Sequence, residues 1–236
     1  MTIPTSNSEP LPELVWISNE RDGLPHLAEF TAANPRIIQH RFVGKRLSGD
    51  ERYLVWRNCD RTIREWWQAN RDLVKSSHVV FMEWDVVCNV PLETLIQPAE
   101  GLLCSDVLTP EKDFESWYWF KSELPKLPPE MQPTACGVAP LAVLQFSRNA
   151  LDLICEARFD ELYALDRYCE LRTSSILGYL GVPVRASEGL KNLDWKPQPY
   201  PWLGRGIFHP VKKSRYLRGL TRQLRRWLGR DHTNQR

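Results

Sequence analysis

Residues 78 to 82 read His-Val-Val-Phe-Met, and Glu83-Trp84-Asp85 follows at once. Val79 to Met82 carry no polar alternation, which predicts a strand covered on both faces, as at the centre of a parallel sheet. A strand of that kind needs helices over it, so the run predicts an α/β fold. The two carboxylates then stand at the strand's C-terminal end, where ligands bind in open α/β sheets. Side chains two apart on an extended strand share a face, so Glu83 and Asp85 can reach one cation while Trp84 points the other way. Oxygen donors of this kind suit Mg²⁺ or Mn²⁺, which one or two carboxylates hold together with substrate phosphates. Strand-end acids paired with arginines, or Asp85 capping a turn, fit the same triplet. Spacing alone leaves these readings open.

The flanking segments continue the alternation of helix and strand. "ELVWIS" (13–18), "PRIIQHRFVG" (35–44) and "YLVW" (53–56) read as short strands. From 60 to 75, Ile63, Trp66, Trp67, Ala69, Leu73 and Val74 fall largely along one helical face, with Asp60 as the N-cap. "GLLCSDVL" (101–108) reads as one more strand, and an aromatic and proline-rich excursion follows it. "ACGVAPLAVLQFS" (135–147) returns to the sheet, and "RNALDLICEARF" is an amphipathic helix. A further helix over 168–181 stops at Gly181 and leads into the strand "VPVRA". The stretch "WKPQPYPWLGRGIFHPVKK" is too rich in Pro and Gly to predict regular structure.

With 42% hydrophobic and 25% charged residues over 236 positions, the chain has apolar material for one sizeable core. The expected layout is a loose leader (1–12), one domain (13–211) and a tail (212–236). The leader lacks the charged and apolar regions of a signal peptide, and no apolar run is long enough to span a bilayer. Six cysteines without a CxxC pair argue for a reducing compartment and against a zinc ribbon. These features predict a cytoplasmic chain, or one peripheral to a membrane.

The order of segments resembles that of GT-A-type nucleotide-sugar glycosyltransferases across most of residues 13–212. The matching stretches are "ELVWISNE", "NCDRTIREWW", "FMEWDV" as a variant of the Asp-x-Asp motif, "ACGVAPLAVLQFSR", "YCELRTSS" and "GIFHPVK". The chain departs from that motif in having Glu83 at its first position. The resemblance implies a GT-A-like fold: a mixed, mainly parallel central sheet flanked by helices in a single domain. It also implies transfer of a sugar from a nucleoside-diphosphate sugar to a glycan, lipid-linked or other acceptor, with Mn²⁺ or Mg²⁺ as cofactor. Asp85 is then the direct metal ligand, joined by Glu83 and by His209 as the late histidine. A histidine in a segment like that of His209 also fits an ordinary surface or hydrogen-bonding role.

The donor side would draw on Trp16 and Asn19 after the first strand, and on Arg57, Asp60 and Arg64 near a strand-to-helix junction, beside Glu83 and Asp85. Asp60 and Arg64 equally fit a helix cap and an i,i+4 ion pair, and Trp16 equally fits a core. The acceptor side falls on the adjacent aromatics Trp117, Tyr118 and Trp119, because three in a row cannot all face one core. A lid packed on the body is the alternative there. By resemblance the small-residue loop places Gly137 on the acceptor side. If transfer inverts the anomeric centre, a carboxylate must take the acceptor's proton. The resemblance puts Glu170 in that role, with Asp166 in reserve; Glu170 also fits a residue that simply favours a helix N-terminus.

Residues 212–236 carry nine Lys/Arg and one acid, leaving residues 1–211 at a net charge of −6. Tyr216, Leu217, Leu220, Leu224, Trp227 and Leu228 form one helical stripe among the arginines. Such a helix suits an anionic membrane surface, here the inner membrane face, or docking on the acidic body. Nucleic-acid binding is the weakest option, because no nucleic-acid module accompanies the tail. Two rival functions remain beside the transferase: a catalytically inactive GT-A-like binding protein, and a metal-dependent phosphohydrolase using the same carboxylates. No Walker, Rossmann or nucleophile-elbow motif is present.

Overall fold

The computed structural model describes residues 57–83, 86–88, 90, 91, 94, 97–165, 167–191, 193, 194 and 206–209, and the backbone of 14–18 and 37–41. The strand expected at 53–56 and the basic tail lie outside these residues. Two compact units divide the chain, Met1–Leu73 and Val74–Arg236. No helix among the described residues is long and apolar enough to cross a membrane.

In the first unit, β1 (Leu14–Ser18) and β2 (Ile37–Arg41) pair in parallel, with Leu14 opposite Ile37. Helix α1 (Cys59–Asn70) buries Ile63, Trp66 and Trp67, the three- and four-residue spacing of one helical face. Asp60 is not its N-cap: Asn58 holds that position, and Arg61 N–H donates to the Asn58 carbonyl at 3.0 Å. Asp60 sits inside the first turn, where a carboxylate meets the positive end of the helix dipole. The helix stops short of the expected residue 75, because Asn70 Nδ2 bonds back to the Trp66 carbonyl at 2.8 Å and the chain turns over 70–73.

The second unit is mixed α/β. Its largest sheet runs in the order β3 (His78–Met82), β8 (Val143–Ser147), β5 (Leu102–Cys104) and β9 (Val184–Ala186). Strand β8 is antiparallel to both neighbours, and only β5 and β9 are parallel, so the expectation of a mainly parallel sheet is corrected for the described residues. The expectation that β3 is covered on both faces is corrected as well. It lies at the edge of the described sheet, four of its residues are half-buried, and Met82 is exposed. The strands of this sheet buried at every residue are β8 and β5. An apolar run shows that a strand packs; it does not show its place in the sheet.

The single strand expected over 101–108 is two. Strand β5 stays beside β9, and after Ser105 the chain leaves as β6 (Asp106–Leu108) to pair antiparallel with β7 (Gly137–Ala139). Between them, α2 (Pro110–Asp113) and α3 (Tyr118–Glu123) give the aromatic excursion short helical turns. Ser147 caps α4 (Arg148–Ile154) by accepting from Ala150 N–H at 3.2 Å. Helix α5 (Asp160–Ala164) precedes α6 (Cys169–Tyr179), which closes with Val182 N–H on the Leu177 carbonyl and Gly181, at φ 70°, on Gly178.

The Pro/Gly-rich segment does form regular structure where it was not expected. Strand β11 (Ile207–Phe208) pairs parallel with β10 (Leu193–Asp194) and antiparallel with β4 (Val87–Cys88). A cluster of Ala142, Val143, Leu190, Leu193 and Ile207, with Val80, Val86, Cys88 and Val90 against it, joins this small sheet to the large one. Burial of that apolar surface is what holds residues 207–209 beside the end of β3.

Gly101 is a point of strict requirement. It has φ 99°, and a Cβ there would lie 1.9 Å from the Pro183 carbonyl oxygen, which accepts the Leu102 N–H at 2.9 Å. Gly101→Ala is expected to cost about 3 kcal/mol or more, read as a lower midpoint in urea unfolding. An unchanged midpoint would contradict this packing.

Candidate functional site

The end of β3 is fixed from two sides. Met82 is opposite Val143, and Glu83 N–H donates to the Ala142 carbonyl at 2.9 Å, extending the ladder by one residue. There the extended chain stops, because Val86 N–H donates to the Glu83 carbonyl at 3.1 Å. The expected continuation of the strand, with alternate side chains on one face, falls on residues 84 and 85. Trp84 and Asp85 lie outside the described residues.

Phe208 of β11 is opposite Val87 of β4, and the antiparallel register carried on by one residue sets His209 beside Val86. His209 Nε2 lies 2.7 Å from Glu83 Oε2, with the two side chains 12% and 34% exposed. Residues 126 apart in sequence thus meet at one strand end.

Glu170 belongs to the first turn of α6. Its Oε2 accepts from the Tyr168 hydroxyl at 2.7 Å, and its Oε1 accepts from Leu141 N–H at 3.2 Å. Burial pushes its pKa up from 4.5 to about 7. The two hydrogen bonds favour the carboxylate and oppose that rise, the charge of Glu83 adds to it, and His209 lowers it. Glu83, His209 and Glu170 therefore form one electrostatic group, and a carboxyl that titrates near 7 is matched to proton transfer at neutral pH.

Tyr168 is the residue the sequence reading missed. The signal was an aromatic hydroxyl at the N-cap position two residues before Glu170, read only as the start of a helix. It is buried and stacks on Trp119, with ring centroids 3.9 Å apart and planes at 21°. Of the three adjacent aromatics, Trp117 packs inward: a Cβ at Gly137 would come within 2.5 Å of its ring. Tyr118 is 66% exposed, and Trp119 covers Tyr168.

Arg57, Asp60 and Arg64 belong to the first unit, where all three are buried. Trp16 lies on β1, its side chain outside the described residues, as are Asn19 and Asp166. All six cysteines are free, and burial pushes the Cys104 and Cys136 thiols up to about 12 and about 11, so neither is a ready nucleophile.

A divalent cation with octahedral ligands at 2.0–2.1 Å sets adjacent donors about 3 Å apart. The Glu83 and His209 donors, 2.7 Å apart, are close to that spacing, and an oxygen with an imidazole nitrogen suits Mn²⁺. No group of three or more His, Cys, Asp or Glu side chains able to hold a metal occurs among the described residues. A cation held by these two groups would need its other ligands from water and substrate oxygens. Neither the family models nor the curated proteins compared with the chain give a match.

Proposed function

We propose that the chain is a metal-dependent glycosyltransferase that moves a sugar from a nucleoside-diphosphate sugar to an acceptor hydroxyl. The observation that carries this reading is Glu170, a carboxyl titrating near 7, in one electrostatic group with the Glu83–His209 donor pair. Glu83 and His209, with Asp85 by resemblance, would hold the cation. When bound there, a divalent cation would supply positive charge to offset that on the departing diphosphate.

The remaining steps fall to the chain's own groups. The Glu170 carboxylate takes the proton of the acceptor hydroxyl as its oxygen bonds to the anomeric carbon and the bond to the diphosphate oxygen breaks. The Tyr168 hydroxyl and Leu141 N–H keep the carboxylate in place before and after it accepts the proton. Such a single displacement inverts the anomeric centre.

The test is turnover of a panel of UDP- and GDP-sugars with Mn²⁺, scored by release of the nucleoside diphosphate. Release that depends on Mn²⁺ is expected for at least one donor. Inorganic phosphate as the product from nucleotides would favour a phosphohydrolase, and nucleotide binding without release would favour an inactive binding protein.

A further inference from the structure

We propose that the opposite end of β3 carries a second site, a Ser77–His78 dyad that hydrolyses small acyl esters. Ser77 and His78 stand where β3 begins, about 16 Å of extended strand from Glu83, so this site is separate from the one above. Ser77 Oγ lies 2.9 Å from His78 Nδ1. His78 Nε2 lies 3.1 Å from the Ala99 carbonyl oxygen, which can only accept. In the neutral imidazole Nε2 therefore carries the proton, and Nδ1 is left to accept from the serine hydroxyl. A hydroxyl on a basic ring nitrogen, with the ring oriented by a third group, is the arrangement of an activated nucleophile. It is recognised by geometry and needs no elbow motif.

The backbone holds the pair. His78 is opposite Ser147 of β8, and Arg148 N–H donates to the Ser77 carbonyl at 2.8 Å. Ser77 is exposed and His78 half-buried, so the hydroxyl is open to a substrate while the ring is kept in place. Both line a cleft of about 350 Å³, the size of a site for a small molecule. Its wall is built: Glu100 Oε1 accepts from the Ser147 hydroxyl at 3.0 Å and from Asn149 Nδ2 at 2.8 Å, and Arg148 Nη1 donates to the Val74 carbonyl. The Arg148 guanidinium brings positive charge to the cleft, against the oxyanion that forms in acyl transfer. Ser77 Oγ bonds to the ester carbonyl carbon as its proton passes to His78 Nδ1, and the bond to the alcohol oxygen breaks with that proton going to the alcohol. Water then adds to the acyl-serine by the same route. Its proton goes to Nδ1, the carboxylic acid leaves, and Ser77 regains its hydrogen.

Two probes on the full chain, without nucleotide or metal, test this: p-nitrophenyl acetate, read as release of nitrophenolate, and a fluorophosphonate, read by mass spectrometry of the labelled peptide. Hydrolysis of the ester and a fluorophosphonate adduct on Ser77 are expected. Ser77→Ala, a change at an exposed side chain, should remove the label and lower hydrolysis about 100-fold or more. His78→Gln keeps an amide able to donate to the Ala99 carbonyl, and should slow both labelling and hydrolysis by about 10²-fold or more, as for loss of a general base. Glu83→Gln should change neither, so failure of the transferase site and failure of the dyad are separate results. No label on Ser77, labelling as fast in His78→Gln as in wild type, or hydrolysis unchanged in Ser77→Ala would overturn the proposal.

Discussion

Glu170→Gln is expected to lower transfer by about 10²- to 10⁴-fold, the usual contribution of a positioned base, and to make the protein more stable at pH 8. Both effects have one cause. Folding raises the Glu170 pKa from 4.5 to about 7, so between those values the folded chain binds more protons than the unfolded chain. The stability due to this residue is full below pH 4.5, declines as pH rises, and is gone above about 7. The cost of holding the charged form at pH 8 is at most about 3 kcal/mol. Glutamine removes that cost and can still bond Leu141 N–H through its oxygen, while the Tyr168 hydroxyl turns to accept from its amide. Thermal unfolding should show the variant melting about 5 °C higher than wild type at pH 8, with the gap narrowing toward pH 5. Wild-type turnover should rise with pH as Glu170 loses its proton, at a pH no higher than about 7, because a bound cation favours the carboxylate. A variant less stable at pH 8, or a gap that does not depend on pH, would contradict the burial of this carboxyl.

The second large effect concerns the Glu83–His209 pair. His209→Ala and Glu83→Gln should each raise the Mn²⁺ concentration for half-maximal turnover by about 100-fold. The double variant should be little worse than either single one, because two ligands of one ion act as a unit. Stability should change by no more than about 1 kcal/mol, since a pair that is part-exposed contributes little in water. Additive losses in the double variant, or unchanged Mn²⁺ dependence, would mean that the 2.7 Å contact is an ordinary surface pair.

The parts of this site legible in the sequence were those written locally. Glu83 follows an apolar run, Glu170 starts a helix that Gly181 ends, and each is marked by a change from apolar to polar within a few residues. The position of His209 was not legible in that way, because β11 has two residues and no period can be read from so short a strand. What places it is pairing with β4 about 120 residues earlier and burial of Ile207, both long-range effects. Strand direction failed for the same reason. Val79 to Met82 are apolar enough for a central parallel strand, yet β8 pairs with them antiparallel from about 60 residues away. Tyr168 was missed because its part is set by its partners, the Trp119 face and the Glu170 carboxylate. Asp60 misled because a carboxylate in the first turn of a helix and one at its cap leave nearly the same sequence pattern.

The most direct test of the central claim is calorimetric titration of UDP and GDP into the full chain, with and without Mn²⁺, for wild type and His209→Ala. The account predicts binding of at least one nucleotide that requires Mn²⁺ and is lost in the variant. Binding that is indifferent to Mn²⁺ and to His209, or no binding under any condition, would contradict it.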